Sequence, residues 1–150
     1  MAWGEAVTIC VEGPSLKGRH SLASQKGRVI RAGSAEGTAL VSVEPIGFLG
    51  GVDPETGIVV ELGHPLEGAC VTGRILVFPT GKGSTVGSYT LYRMARTGTA
   101  PAAIVNAHSE AIVAVGAIIG EIPMVDQIDI TDIETGDLVR VDDGHVTVTG

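Results

Sequence analysis

Aromatic residues make up only 3% of this 150-residue chain, although 44% of its residues are hydrophobic. A core must therefore be assembled from Val, Ile, Leu and Ala, and the chain is long enough to bury one domain's worth of it. Basic residues are also in deficit: 10 Lys and Arg stand against 17 Asp and Glu, a formal net charge of −7. That balance excludes a general nucleic-acid binder, whose footprint is a basic patch, but leaves room for a local pocket holding one anionic group. There are only two cysteines, Cys10 and Cys70, far apart and outside any metal-ligand spacing. They read as two free thiols of a cytosolic protein. No segment reaches the roughly 18 apolar residues of a membrane span, and residues 1–11 are too acidic and too weakly apolar for a signal peptide. The expectation is a soluble, cytoplasmic protein without nucleic-acid or membrane partners.

Glycine, by contrast, is abundant: 22 residues, about twice the usual share. There is no Gly-X-Y period, so the glycines mark turns between short strands. Residues 1–27 differ from the rest. A strand-like Val7-Thr8-Ile9-Cys10-Val11 is broken at Gly13-Pro14, and a polar stretch with Lys17, Arg19, His20 and Lys26 follows. Residues 1–27 are read as an N-terminal extension, its basic residues either a solvated arm or a partner contact. Residues 28–150 are read as one domain.

Within that domain, strands are predicted at 28–31, 38–43, 58–62, 74–79, 102–105 and 122–125. Ala39, Val41 and Val43 alternate onto one face, whereas the run Arg74-Ile75-Leu76-Val77-Phe78-Pro79 is apolar without alternation, as in a strand covered on both sides. A first helix carries Val86, Thr90 and Met94 on one stripe with Leu91 and Ala95 beside it, and ends at Gly98 before Pro101. A second opens at Ser109-Glu110 and ends at Gly120. Asp142-Asp143-Gly144-His145 between two β-branched runs signals a hairpin. The sum is a strand-rich α/β domain with two main helices.

The segment Thr80-Gly81-Lys82-Gly83-Ser84-Thr85, between a buried strand and a helix, is the richest in chemistry. Gly81 and Gly83 permit positive φ and close approach of backbone N–H groups to a ligand. Free N–H groups and the dipole of the following helix favour an anion there, and Lys82 adds a cation. Ser84 stands at the mouth of this anion-favouring loop, where an alkoxide costs less to form, so it is a candidate proton acceptor. The same residues also fit a plain helix N-cap. The loop is not a phosphate-binding P-loop, because four residues are missing between a first Gly and the Gly-Lys-Ser/Thr end. Nor do Gly81, Gly83 and Gly87 match the Gly-x-Gly-x-x-Gly dinucleotide spacing.

The run Pro79-Thr80-Gly81-Lys82-Gly83-Ser84-Thr85-Val86-Gly87-Ser88-Tyr89 resembles the signature of the small subunit of aconitase-X-type dehydratases. Three further segments are similar to that family in order and approximate spacing: Gly50-Gly51-Val52-Asp53-Pro54-Glu55-Thr56-Gly57, His64-Pro65-Leu66-Glu67-Gly68 and Gly98-Thr99-Ala100-Pro101-Ala102-Ala103-Ile104. The resemblance covers roughly residues 28–130. It implies a swivelling β/β/α domain, equivalent to the mobile domain of aconitase, that works as a heterodimer with a large subunit. In the family the large subunit holds a [4Fe–4S] cluster and most of the substrate pocket. With two cysteines this chain cannot supply the three protein thiolates that such a cluster needs, so it binds no cofactor alone.

The resemblance further implies a hydro-lyase subunit in which Ser84 is the catalytic proton acceptor. Gly50, Gly51, Asp53, Gly81, Lys82, Gly83 and Thr85 would line the site of a small phosphorylated hydroxy acid. One branch of the family dehydrates (R)-5-phosphomevalonate to trans-anhydromevalonate 5-phosphate in the archaeal-type mevalonate route to isoprenoids; a sister branch dehydrates cis-3-hydroxy-L-proline. Lys82, available to a phosphate, favours the first. A non-catalytic, anion-binding swivelling domain would use the same loop without proton transfer. A phosphohistidine carrier would need a histidine where Ser84 stands. The extension 1–27 is not part of the typical small subunit, and the tail after Asp132 resembles the family less.

Outside these motifs the residues also read in ordinary ways. Gly50, Gly51 and Asp53 fit a plain glycine-rich turn, and His64 fits a packed histidine as well as a substrate or partner contact. Arg74, at the start of a buried strand, suggests a structural ion pair. Tyr89 and Tyr92 suggest packing or contact with the large subunit, and His108 and His145 have no assigned role.

Overall fold

The computed structural model describes residues 22–149. The strand-like 7–11 segment, the other residues up to 21 and Cys10 lie outside them. Among the described residues, eight strands form one sheet in the order β1-β8-β7-β3-β4-β5-β6-β2. They are β1 (Leu22–Lys26), β2 (Arg28–Arg31), β3 (Ser34–Val41), β4 (Ile75–Phe78), β5 (Ala103–Asn106), β6 (Met124–Asp126), β7 (Leu138–Asp142) and β8 (His145–Thr149). Strands β3, β4, β5 and β6 run parallel; β2, β7 and β8 pair antiparallel, and β1 closes the other edge against β8. The first strand thus lies within the segment read as an extension.

The buried runs in β4 and β5 have a simple cause: both faces of the parallel sheet are covered. Successive side chains of β4 point to opposite faces. Leu76 and Phe78 join Ile104 and Met124 in a cluster under the two helices, with Leu91, Met94, Val113 and Ala117. Ile75 and Val77 join Ala103 and Val125 on the other side, against Val139, Val141, Val146 and Val148 of the β7–β8 hairpin. This makes three layers, helices over parallel strands over antiparallel strands, which is the expected α/β arrangement. The hairpin turns at Asp143 (φ 44°) and Gly144 (φ 93°), both left-handed, as a tight two-residue connection requires.

Helix α1 (Gly87–Thr97) ends at Gly98, whose φ of 87° lets its N–H reach the Met94 carbonyl. Helix α2 (Ala111–Gly120) starts at Glu110, whose carboxylate accepts from the N–H groups of Ile112 (2.8 Å) and Val113 (3.2 Å). It stops with Glu121, not Gly120, in the left-handed conformation. The two helices approach closely at Gly116, where a Cβ would stand 2.9 Å from Leu91 Cδ1 and 3.1 Å from the Ser88 carbonyl.

Several expectations need correction. Strand β3 starts at Ser34 and runs through Gly37, where a Cβ would meet the Gly73 carbonyl at 3.0 Å. It stops at Val41, so Val43 is exposed instead of sharing the buried face of Ala39. No strand forms at 58–62: only Ile58 and Val59 make single bridges, to Cys70 and Val52, and left-handed Gly57 and Gly63 turn the chain at either end. Cys70 is not a free thiol but disulfide-bonded, and none of the described cysteines is free.

An ion pair ties β2 to the entrance of α2. Arg28 donates through Nε (3.0 Å) and its terminal nitrogen (2.7 Å) to Asp126, which is 1% exposed and also accepts from the Ser109 N–H at 3.1 Å. The hydrogen bonds from Arg28 hold the Asp126 carboxyl below the usual carboxylate range, against the upward push of burial, with Ser109 adding to the lowering. A carboxyl depressed in the native state stabilises above its unfolded pKa, about 3.9, and that stabilisation is lost as pH falls through the native value. Asp126→Asn is therefore expected to lower the melting temperature by several degrees at pH 7, with the gap to the unmodified protein closing below about pH 4. Melting curves across that range check this; a gap independent of pH would contradict it.

Candidate functional site

The carboxyl ends of β3, β4 and β5 open onto three loops, the usual ligand-binding edge of a parallel sheet. The loop after β4 carries Gly81, Lys82, Gly83 and Ser84. It is laced to the loop after β3 by backbone: the Ile46 N–H donates to the Thr80 carbonyl at 3.2 Å, and the Lys82 N–H donates to the Ile46 carbonyl at 3.1 Å. Glycine is required where the loops touch. A Cβ at Gly47 would sit 2.8 Å from the Lys82 carbonyl oxygen, and one at Gly51 only 2.0 Å from the Gly47 carbonyl oxygen. At Gly81 it would strike Val113 Cγ2 at 2.5 Å and Glu110 Oε1 at 2.7 Å. The start of α2 is therefore packed directly beneath the Ser84 loop.

Ser84 is exposed and is not an N-cap. Val86 occupies that position, without a side-chain cap. The Ser84 Oγ accepts from the Val86 N–H at 3.2 Å and its carbonyl accepts from the Gly87 N–H at 2.9 Å. The N–H groups of Gly83, Ser84 and Thr85 donate to no acceptor among the described residues. Three exposed residues whose N–H groups meet no acceptor among the described residues thus flank, in sequence, a hydroxyl that already receives one hydrogen bond. Charge on that oxygen would shorten and strengthen the Val86 contact.

Lys82 is not an isolated cation. Its Nζ lies 2.7 Å from Glu61 Oε2, both side chains being partly exposed (43% and 33%). Glu61, in the segment read as a strand, was not foreseen as part of the site; a lone charge inside Ile58-Val59-Val60-Glu61-Leu62 is the signal that marks it. Gly47 was likewise missed, because its role is a close approach in space.

Gly50 and Gly51 lie on the loop laced to the Ser84 segment, Gly50 left-handed with open space about its Cβ position. Asp53 has a structural task. Its carboxylate accepts from the Glu55 N–H at 2.9 Å, its carbonyl from Thr56 and Gly57, and its N–H donates to Ile58. His64 is buried with both ring nitrogens engaged: Nδ1 accepts from the Leu66 N–H and Nε2 donates to the Pro45 carbonyl, each at 3.0 Å. That is the packed reading of His64. Arg74 donates to the Thr38 and Ala39 carbonyls at 3.2 and 3.0 Å. Tyr89 is exposed, and Tyr92 lies under the Arg96 guanidinium.

Residues 24–150 match the family described as the aconitase X swivel domain. The chain belongs to that family. The phosphomevalonate dehydratase small subunit of Methanosarcina acetivorans is 56% identical over 119 residues, covering 77% of this chain and 83% of that one. That of Thermococcus kodakarensis is 55% identical over 117 residues, covering 78% and 88%. The crystal structure of Thermococcus kodakaraensis aconitase X, holo-form, superposes with a TM-score of 0.84 at 51% identity, over 85% of this chain and 99% of that chain.

The described residues do not fit an iron–sulfur cluster. Cys70 is already in a disulfide, and among the described residues no three His, Cys, Asp or Glu side chains are grouped as metal ligands.

The loop contacts separate two neighbouring glycines. Gly50→Ala meets no atom but must adopt φ +77°, a cost of about 1 kcal/mol. Gly51→Ala drives a methyl into the Gly47 carbonyl and should cost about 3 kcal/mol while loosening the Ser84 loop. Chemical denaturation of the two variants compares them; equal costs would refute the packing described for the swivel domain's loops.

Proposed function

We propose that this chain is the small subunit of a phosphomevalonate dehydratase. Paired with a large subunit, it removes water from (R)-5-phosphomevalonate to give trans-anhydromevalonate 5-phosphate, with Ser84 as the proton acceptor. The observation that carries this reading is the 55–57% identity to phosphomevalonate dehydratase small subunits over more than four-fifths of their length. The [4Fe–4S] cluster belongs, on this reading, to the large subunit, and the pair works in the cytoplasm. No helix among the described residues is long and apolar enough to cross a membrane.

Loss of water from a hydroxy acid breaks a C–H and a C–O bond: the C–H electron pair becomes the new double bond, and the hydroxyl leaves with the C–O pair, which the cluster held by the large subunit would take up as a Lewis acid. The proton needs an acceptor at the substrate carbon. A serine alkoxide serves only where its charge is stabilised, and the Ser84 loop offers the means. The Val86 N–H is already on Oγ, the N–H groups of Gly83, Ser84 and Thr85 meet no acceptor among the described residues, and the Lys82 ammonium stands nearby in sequence. Preorganised donors of this kind contribute several kcal/mol to a charged transition state. On this reading Lys82 and the loop donors hold the anionic end of the substrate. Gly81 and Gly83 keep the loop free of Cβ atoms, and Gly50 and Gly51 shape the opposite rim, with Asp53 fixing the turn behind them.

The test is Ser84→Ala in the assembled pair. Turnover of (R)-5-phosphomevalonate should fall about 10²- to 10⁴-fold with assembly and substrate binding retained, and the chain alone should show no turnover. Near-normal turnover by the variant pair would rule Ser84 out as the base.

A further inference from the structure

We propose that Glu61 is a positioning residue of this site: its carboxylate holds the Lys82 ammonium at the rim of the Ser84 loop, so that the remaining N–H donors of Lys82 meet an anionic oxygen of the substrate. This rests on the dehydratase reading above. A lysine carries its charge on a flexible four-carbon stem with three donors. Here the backbone of Lys82 is fixed by the Ile46 carbonyl, and one donor is engaged by Glu61 at 2.7 Å. Two donors remain for a ligand.

Glu61 is itself anchored. The preceding Val60 N–H donates to the Gly51 carbonyl at 2.9 Å, and the Glu61 carbonyl accepts from the His64 N–H at 3.2 Å. His64 is in turn fixed at Pro45, one residue before Ile46. The Glu61 side chain lies against the same glycine loop, its Oε1 3.5 Å from the place a Gly51 Cβ would take. The pair therefore bridges the two glycine loops by side chains, where Ile46 already bridges them by backbone.

A partly exposed ion pair contributes little to stability. What it does is restrict where the ammonium sits. The carboxylate also offsets the Lys82 charge, so a substrate anion completes a triad in place of meeting a bare cation. Positioning and competition predict opposite signs: an orienting carboxylate lowers KM, a competing one raises it.

The experiment uses the assembled pair, with (R)-5-phosphomevalonate as substrate and Glu61→Ala, Glu61→Gln, Lys82→Ala and the Glu61→Ala/Lys82→Ala double variant. Glu61→Ala should raise KM roughly five- to tenfold with kcat changed less than about twofold. Glu61→Gln should restore much of the loss, because its amide oxygen still accepts from Nζ. The double variant should be no worse than Lys82→Ala alone. A fall in KM for either Glu61 variant would show competition and overturn the assignment, as would effects of Glu61→Ala and Lys82→Ala that multiply. A fall in kcat at unchanged KM would overturn it too, marking Glu61 as structural support. Absence of turnover by the unmodified pair would instead overturn the dehydratase reading on which the proposal rests.

Discussion

Two backbone hydrogen bonds, from Ile46 to Thr80 and from Lys82 to Ile46, join the loop after β3 to the loop after β4. They demand that the two main chains lie almost in contact, and that demand explains the residues around them. Gly47 is glycine because the Lys82 carbonyl occupies its Cβ side, Gly51 because the Gly47 carbonyl does, and Gly81 because Val113 and Glu110 press from α2. The Ser84 loop is thus held from two directions, while residues 82–86 are exposed and the N–H groups of Gly83, Ser84 and Thr85 meet no acceptor among the described residues. The helix α1 that follows begins without a side-chain cap, and Ser84 stands two residues before its N-cap, Val86.

The same arrangement accounts for the chain's being half of a catalyst. A serine flanked by unpaired N–H donors favours negative charge, but Ser84 is exposed, without apolar enclosure among the described residues to make such donors strong. Glu61 and Lys82 stand at the rim in the same partly exposed state. An active centre built from these parts needs a second surface to exclude water, and a large subunit carrying the cluster supplies it on the proposed reading. The swivel domain brings a shaped loop; its rigidity comes from the doubly covered strands β4 and β5 beneath.

Much of this was legible in the residues. Buried strands such as Ile75-Leu76-Val77-Phe78 lack alternation, Gly98 ends α1, and Asp143-Gly144 turns the hairpin, each for a local reason. The Ser84 loop was legible as a glycine turn between a buried strand and α1, although local chemistry alone left the N-cap reading open. What could not be read depends on contacts far apart in the chain. Residues 58–62 have the composition of a strand, yet among the described residues they make only the single bridges of Ile58 and Val59. Glu61 meets Lys82 across 21 residues and Asp126 meets Arg28 across 98. Cys70 is covalently engaged. Gly47 is essential only because another backbone passes beside it.

The most direct test of this account is a parallel assay of the purified chain, alone and assembled with a cluster-bearing large subunit, on (R)-5-phosphomevalonate and on cis-3-hydroxy-L-proline. The account predicts no turnover by the chain alone and dehydration of (R)-5-phosphomevalonate, in strong preference to the hydroxyproline, by the pair. Turnover of cis-3-hydroxy-L-proline alone, or activity without a large subunit, would contradict it.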